Sequence, residues 1–206
     1  MGWLIFYPRT MWRIIVRPDA TTYYLEGEQD DSPAGRYSDT LSPPLLLMIT
    51  LVITHVLSSS AGMAAPQATG DLGRDLVGSD RNLLIVRTMI FAIIPLVIAV
   101  ISLKRRRLPI DRQTLRMPFY SQCVLLTPFA LMVQGALLLP RLAHPGEMAA
   151  WALAVAAFAW FLWAEIQWFA RRLHLSPIPV LVTAGMSIGA GLAAALLIAV
   201  LIALAI

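Results

Sequence analysis

Apolar residues in this chain gather into five long continuous runs, and polar residues fall mainly between them. A helix needs roughly 20 mostly apolar residues to cross the hydrocarbon core of a bilayer. The runs reach that length and predict membrane-spanning helices at about residues 44–64, 83–103, 119–139, 148–170 and 178–206. Barrel strands would alternate apolar and polar positions instead. The pattern therefore predicts an all-α, polytopic transmembrane bundle of five spans, which occupies residues 44–206.

The segment PRTMWRIIVR, ahead of the first run, has a helical periodicity of its own. On a helix Arg9, Arg13 and Arg17 share one face, and the apolar residues, Trp12 among them, face broadly the other way. We expect an amphipathic interfacial helix over residues 1–18, with its arginines toward lipid phosphates. A cap packed on the cytoplasmic end of the bundle is an alternative that is compatible with lipid contact.

Residues 19–43 change abruptly to an acidic composition with a single basic residue, Arg36. Glycine, serine and proline interrupt any periodicity there. The composition predicts a flexible, solvated cytoplasmic linker. A docking site for a basic partner is the alternative interpretation.

Basic residues are distributed unevenly between the two sides of the expected bundle. Alternate crossings put twelve of the 16 lysines and arginines on one side. The positive-inside rule then predicts a cytoplasmic N terminus and, after five crossings, an external C terminus. The apolar stretch at residues 3–7 is too short for a signal peptide, so we expect the first span to act as an uncleaved insertion signal. The cluster Lys104, Arg105, Arg106 and Arg107 is expected to contact anionic lipid headgroups.

Composition narrows the class of protein further. The chain is 58% hydrophobic and 14% charged, with a mean hydropathy of +0.72. These values exclude a disordered chain and most soluble enzymes. The single cysteine, Cys123, excludes an internal disulfide, and three scattered histidines offer no metal-ligand spacing. We expect no metal or cofactor, and no nucleic-acid partner, because no aromatic residues are interleaved with the basic loop.

Polar residues at membrane depth are costly and are functional candidates by default. They lie at His55, Arg87, Gln122, Gln134 and Glu165. One interpretation is a proton or ion relay that uses Glu165 and His55 with the glutamines between them. The other is a structural role, in which these groups form hydrogen bonds between helices. In the fifth run, Gly185 and Gly189 form a small-xxx-small pair that permits close helix packing.

Two segments carry a resemblance to a known family. Arg17, Pro18 and Tyr23 or Tyr24 follow the "R-P-x-x-x-Y/F" pattern that precedes the first span, and the third span opens with RMPFYSQCVLLTPFAL. With five spans, the chain resembles the bacterial branch of the Yip-type (Rab-interacting-protein-like) integral membrane proteins. The resemblance implies a membrane-embedded bundle with a cytoplasmic N terminus and no established catalytic residues. Some bacterial relatives are labelled permeases, and eukaryotic members engage small GTPases.

No nucleotide-binding, metalloprotease or serine-hydrolase motif occurs in the chain, which argues against an enzyme. The sequence favours a scaffold, assembly or lipid-organising component of the bacterial inner membrane that associates with itself or another membrane protein. A permease-like transport component is the alternative. A scaffold is expected to bury its polar groups in pairs, whereas a transporter would line a central cavity with them.

Overall fold

A computed structural model of the chain describes residues 3–30, 41–63, 78–142, 146–173 and 176–204. Within these ranges the chain is helical and contains no strand, which confirms the all-α prediction. The described helices are α1 (Trp3–Val16), α2 (Pro18–Asp30), α3 (Pro43–Ser60), α4 (Asp80–Arg105), α5 (Arg112–Leu142), α6 (Gly146–Leu173) and α7 (Pro177–Leu204).

The five helices α3 to α7 are each long and apolar enough to cross a membrane, and they match the five predicted runs. The largest difference between a predicted run and its helix is in α5. This helix has 31 residues, extends about 46 Å and begins seven residues before the apolar run. The cause is a cap at Asp111. Its carboxylate accepts hydrogen bonds from the backbone N–H groups of Gln113 and Thr114, both at 2.8 Å. This satisfies two of the free donors at the helix start.

α5 is the central helix of the bundle. It packs against α3, α4 and α6, and α7 packs against α4 and α6. Helices α4 to α7 therefore form a closed ring in which each contacts two neighbours, with α3 outside it against α5. Aromatic side chains fill the seam between α5 and α6, where Phe129 stacks on Phe161 at 4.8 Å and meets Phe158 edge-on at 5.0 Å.

One end of the bundle carries most of the described basic residues. α4 ends at Arg105, α5 begins at Arg112, and Arg171 and Arg172 lie in the last turn of α6. We call this the basic end. Arg81 and Arg141 lie at the opposite end.

Helices α1 and α2, which we call the N-terminal helix pair, pack on each other and on the bundle near the basic end. Residues 18–30 are helical, where the sequence predicted a flexible linker. That prediction was wrong because α2 gains tertiary contacts that its composition does not reveal. Thr22 and Leu25 are buried, and Asp19 and Glu26 are paired with arginines of α6. The rest of the predicted linker falls mostly on residues 31–40, outside the described ranges.

Candidate functional site

Gln122 and Glu165 meet inside the bundle. The amide nitrogen Nε2 of Gln122 on α5 donates a hydrogen bond to Oε2 of Glu165 on α6, at 3.1 Å. Both side chains have no solvent-exposed surface. The sequence identified both residues but not their pairing, since 43 positions separate them along the chain. The bond joins α5 and α6, which form the most extensive helix–helix contact in the bundle.

Arg87 and Gln134 form a second pair. A guanidinium nitrogen of Arg87 on α4 donates to Oε1 of Gln134 on α5, at 2.8 Å. The Gln134 amide in turn donates to the sulfur of Met63, 3.8 Å away, just beyond the end of α3. The guanidinium carbon also lies 5.9 Å from the ring centre of Phe91. Contacts with Gln134 and Phe91 therefore hold the Arg87 side chain within the protein.

His55 stands apart from both pairs. It is buried on α3, five residues from the helix end that lies opposite the basic end. Glu165 lies eight residues from the basic end of α6. No hydrogen bond in the described ranges joins His55 to either pair. The five candidate positions therefore separate into two pairs and one lone histidine.

Ion pairs attach α2 to the basic end of α6. Arg172 pairs with Glu26, and Arg171 pairs with Asp19. Glu26 also accepts a hydrogen bond from the hydroxyl of Ser121 on α5. The Arg172 guanidinium lies 4.3 Å from the ring centre of Trp168, close enough for a cation–π contact. Sequence reasoning missed these pairs because no local pattern links α2 to α6.

α1 lies across the bundle near the basic end. The hydroxyl of Tyr7 is hydrogen-bonded to Thr50 of α3 at 2.8 Å, and the indole N–H of Trp160 on α6 donates to the carbonyl of Ile15 at 2.9 Å. Between these contacts Ile14 is fully buried in a cluster with Val124 of α5. Burial raises the pKa of Tyr7 above its ordinary value, more strongly than the hydrogen bond to Thr50 lowers it. The Tyr7 phenol is therefore neutral at physiological pH.

The outer side of the N-terminal helix pair is basic and aromatic. Trp12 is 69% exposed and lies beside Arg13, not opposite the arginines as the sequence suggested. The buried side of α1 is centred on Met11 and Ile14. Successive residues of a helix are rotated by about 100°, so Trp12 points away from the side on which Met11 is buried. A groove of about 520 Å³ runs between α1 and α2, and Trp12, Arg13 and Arg17 are among its lining residues.

The basic side chains of the predicted lipid contacts are accessible. The side chains of Arg9, Arg13 and Arg17 are exposed. So are those of Lys104 and Arg105 at the end of α4 and of Arg106 and Arg107 in the turn that follows. Arg107 adopts a left-handed φ of 55°, which lets the chain turn back toward α5.

Gly185 and Gly189 lie on the outer side of α7. A Cβ atom added at either glycine would meet nothing within 4 Å in the described structure. Close packing inside the bundle involves Gly191 instead, where an added Cβ would lie 3.3 Å from the carbonyl oxygen of Ile94 on α4. The small-xxx-small pair identified in the sequence is therefore available for a contact outside this chain.

The described residues contain no group of three or more histidine, cysteine or acidic side chains that could hold a metal ion.

The described part of the chain is an all-α bundle with five helices able to cross a membrane, as in multi-pass membrane proteins. Comparisons with protein-family models, curated proteins and solved structures found no match.

Proposed function

We propose that the chain is a non-enzymatic scaffold of the bacterial inner membrane, an assembly or lipid-organising component. The observation that carries this proposal is the pairing of deep polar groups, Arg87 with Gln134 and Gln122 with Glu165. Such hydrogen bonds hold membrane helices together. A transport path would instead be expected to direct these groups into a continuous polar cavity. The resemblance to Yip-type proteins is consistent with a bundle of this kind.

Self-association through α7 is part of the proposal. Gly185 and Gly189 are one turn apart and exposed, and among the described residues nothing lies within 4 Å of a Cβ added at either position. Small residues at this spacing let two helix backbones approach closely in lipid, where packing drives association. Large apolar side chains flank them on the same outward side, including Met186 at 60% exposure. A second copy of the bundle, or another membrane protein, would bury this surface.

The test is the association state of the full chain in lipid vesicles, measured by energy transfer between labelled copies. We expect the wild-type chain to associate and Gly185→Ile combined with Gly189→Ile to weaken association roughly tenfold, equivalent to about 1.4 kcal/mol. Ala156→Ile combined with Ala159→Ile is the matched control, since both alanines are exposed on a different helix, α6. Equal association of all three chains would contradict this interface. Affinity purification in mild detergent with mass spectrometry would show whether another membrane protein occupies it.

The N-terminal helix pair is proposed to contact anionic lipid headgroups. Arg13 and Arg17 line a groove beside Trp12, a combination suited to the boundary between headgroups and acyl chains. We expect native mass spectrometry of the full chain to show retained anionic lipid. Arg13→Gln combined with Arg17→Gln should reduce that lipid several-fold, whereas Arg81→Gln at the opposite end should not. Retention of neutral lipid to the same extent would contradict an electrostatic contact.

A permease-like component is the second candidate function, and one observation favours it. Oxygen Oε1 of Gln122 and oxygen Oε1 of Glu165 are buried without a hydrogen-bond partner, so this pair is only partly satisfied. Ionisable side chains inside membrane spans often mark proton and ion pathways. The Glu165 variant described in the Discussion separates the two functions.

A further inference from the structure

Five buried side-chain polar atoms in the described ranges have no hydrogen-bond partner, and all belong to the ring of helices α4 to α7. They are Oγ of Ser102, Oε1 of Gln122, Oε1 of Glu165, Nε1 of Trp168 and Oγ of Ser187. Each of the five side chains is at most 3% exposed. Most buried polar groups in proteins have a partner, and those without one commonly mark a bound water, an ion or a functional role.

The contacts between α4, α5 and α6 place three of these residues near one depth. Glu165 is level with Gln122 because their side chains are hydrogen-bonded. The hydrogen bond from Arg87 to Gln134 sets the register of the antiparallel helices α4 and α5. The arginine side chain spans about one helical turn, so twelve residues from that bond toward the basic end Gln122 on α5 lies opposite the stretch of α4 between Pro95 and Ala99. Ser102 on α4 is then about 4.5–10 Å nearer the basic end.

The contact between α4 and α7 places Ser187 at the same depth. Gly191 of α7 packs against Ile94 of α4, and these helices are also antiparallel. Four residues from this contact, Ser187 is opposite Ile98, the neighbour of Ala99. Trp168 lies three residues from Glu165 toward the basic end, at the depth of Ser102. All five unpartnered atoms therefore fall within about two helical turns of depth.

The chemistry of this layer suits a small cation. Four of the five atoms are oxygens: one from a carboxylate, one from an amide and two from hydroxyls. Hard cations prefer oxygen ligands of these types. A single carboxylate balances one positive charge. Ala99, Ala164 and Ala184 are buried at neighbouring positions, together with the larger side chains of Ile98 and Phe161. The indole N–H of Trp168 cannot bind a cation, but it can donate to a water that completes the coordination.

We propose that the layer formed by Ser102, Gln122, Glu165 and Ser187 binds a hard monovalent cation, with sodium as the best fit. Glu165 supplies the charged ligand, and Gln122 and Ser187 supply neutral oxygens from the neighbouring helices at the same depth. A cation there would join all four helices of the ring through one point. This site does not rest on the scaffold function, because a structural ion and a transported ion would bind the same ligands.

The test is the thermal unfolding midpoint of the full chain in mild detergent, in sodium, lithium, potassium or choline chloride at equal ionic strength. We expect the midpoint to be highest in sodium, lowest in choline, and to rise with sodium concentration, because a ligand that binds only the folded state stabilises it. Glu165→Gln and Ser187→Ala should each abolish the difference between sodium and choline. Ser58→Ala is the matched control, since its hydroxyl lies on α3 and already donates to the Thr54 carbonyl at 2.8 Å.

Two outcomes would overturn the proposal. Equal midpoints in all four salts would mean that water alone occupies the layer. A sodium effect that persists in both Glu165→Gln and Ser187→Ala would place the cation elsewhere. Should the Glu165 variant fail to fold, Ser187→Ala and Ser102→Ala decide the question, because each removes one hydroxyl from the layer and leaves the carboxylate in place.

Discussion

At the scale of single residues, Glu165 is the position on which the two candidate functions depend most directly. Its carboxyl group is fully buried and has one hydrogen-bond partner, the amide of Gln122. Removing a carboxylate from water is costly unless it is paired or neutralised. A residue kept there for structure needs only a polar side chain of the right shape. A residue that carries protons needs a group that titrates.

Glu165→Gln separates these roles. In a scaffold the variant should fold and insert at a cost of at most about 1–2 kcal/mol, because glutamine keeps the side-chain shape and can still form an interhelical hydrogen bond. It should then largely rescue whatever phenotype the deletion strain shows. The measurements are the amount of protein in the membrane and growth of the complemented strain.

Glu147→Gln is the matched control, because Glu147 is exposed at the other end of the same helix. A Glu165→Gln protein that is present at normal levels but completely inactive would favour the transport function. The sodium measurement is independent of this result. A rescued strain whose protein has lost the sodium effect would indicate a structural ion.

At the scale of elements, the N-terminal helix pair is attached to the bundle by contacts of different strengths. The Arg172–Glu26 pair is largely buried, with side chains 14% and 20% exposed, and it is supported by Ser121 and Trp168. The Arg171–Asp19 pair is more open to solvent, with side chains 47% and 31% exposed. Water screens an exposed pair more effectively, so the two pairs should contribute differently to stability.

Double-mutant cycles should show this difference. For Arg172→Gln with Glu26→Gln we expect a coupling free energy of roughly 1–3 kcal/mol, within the range for contacting buried residues. For Arg171→Gln with Asp19→Asn we expect roughly 0.2–1 kcal/mol. Unfolding of the full chain in mixed micelles measures both, and the second cycle is the control for the first. Equal couplings would mean that the lower exposure of the Arg172–Glu26 pair does not make it stronger than the Arg171–Asp19 pair.

The cap at Asp111 gives α5 a stability that depends on pH. Hydrogen bonds from the backbone N–H groups of Thr114 and Gln113 lower the pKa of Asp111 below its usual range. A group whose pKa is lowered by folding stabilises the folded state above its unfolded pKa and loses that effect as the pH falls through the folded value. We expect Asp111→Ala to lower the unfolding midpoint at pH 7, and the difference from wild type to shrink below about pH 4.

Asp111→Asn is the control, because its amide oxygen can still cap the helix without carrying a charge. It should lower the midpoint less than Asp111→Ala, and it should remove most of the pH dependence. A difference between wild type and Asp111→Ala that stays constant through the acid range would show that the charge of Asp111 is not involved.

The elements also show where sequence reasoning succeeds and where it stops. The five spans could be predicted because burial in lipid requires only length and apolar composition. The helical state of residues 18–30 could not, since it depends on Arg171 and Arg172, about 150 positions away. The deep polar residues were identifiable one by one. Their pairing, and the common depth of Ser102 and Ser187 with Glu165, depend on the register between helices, which no local pattern encodes.

At the scale of the whole molecule, the two ends of the bundle differ in charge and in covering. The basic end carries the N-terminal helix pair, the exposed turn after α4 and the arginines at the end of α6. The described part of the opposite end carries Arg81 and Arg141, whose guanidinium donates to the carbonyl of Ala61 at 3.3 Å. Because loops rich in lysine and arginine are retained in the cytoplasm, this asymmetry predicts that the basic end faces inward.

Reporter fusions test this orientation. Fusions after Gln113 and after Leu173 should be cytoplasmic, and fusions after Gly70, after Gly146 and at the C terminus should be external. Because truncated fusions lack later helices, labelling of the full chain with a membrane-impermeant maleimide is the control, in a Cys123→Ser background. A cysteine at exposed Arg106 should be protected in intact cells and labelled after lysis, whereas one at exposed Arg81 should be labelled in both. A cytoplasmic C terminus would mean that one of the five helices does not cross the membrane, and labelling of position 106 in intact cells would reverse the orientation of the bundle.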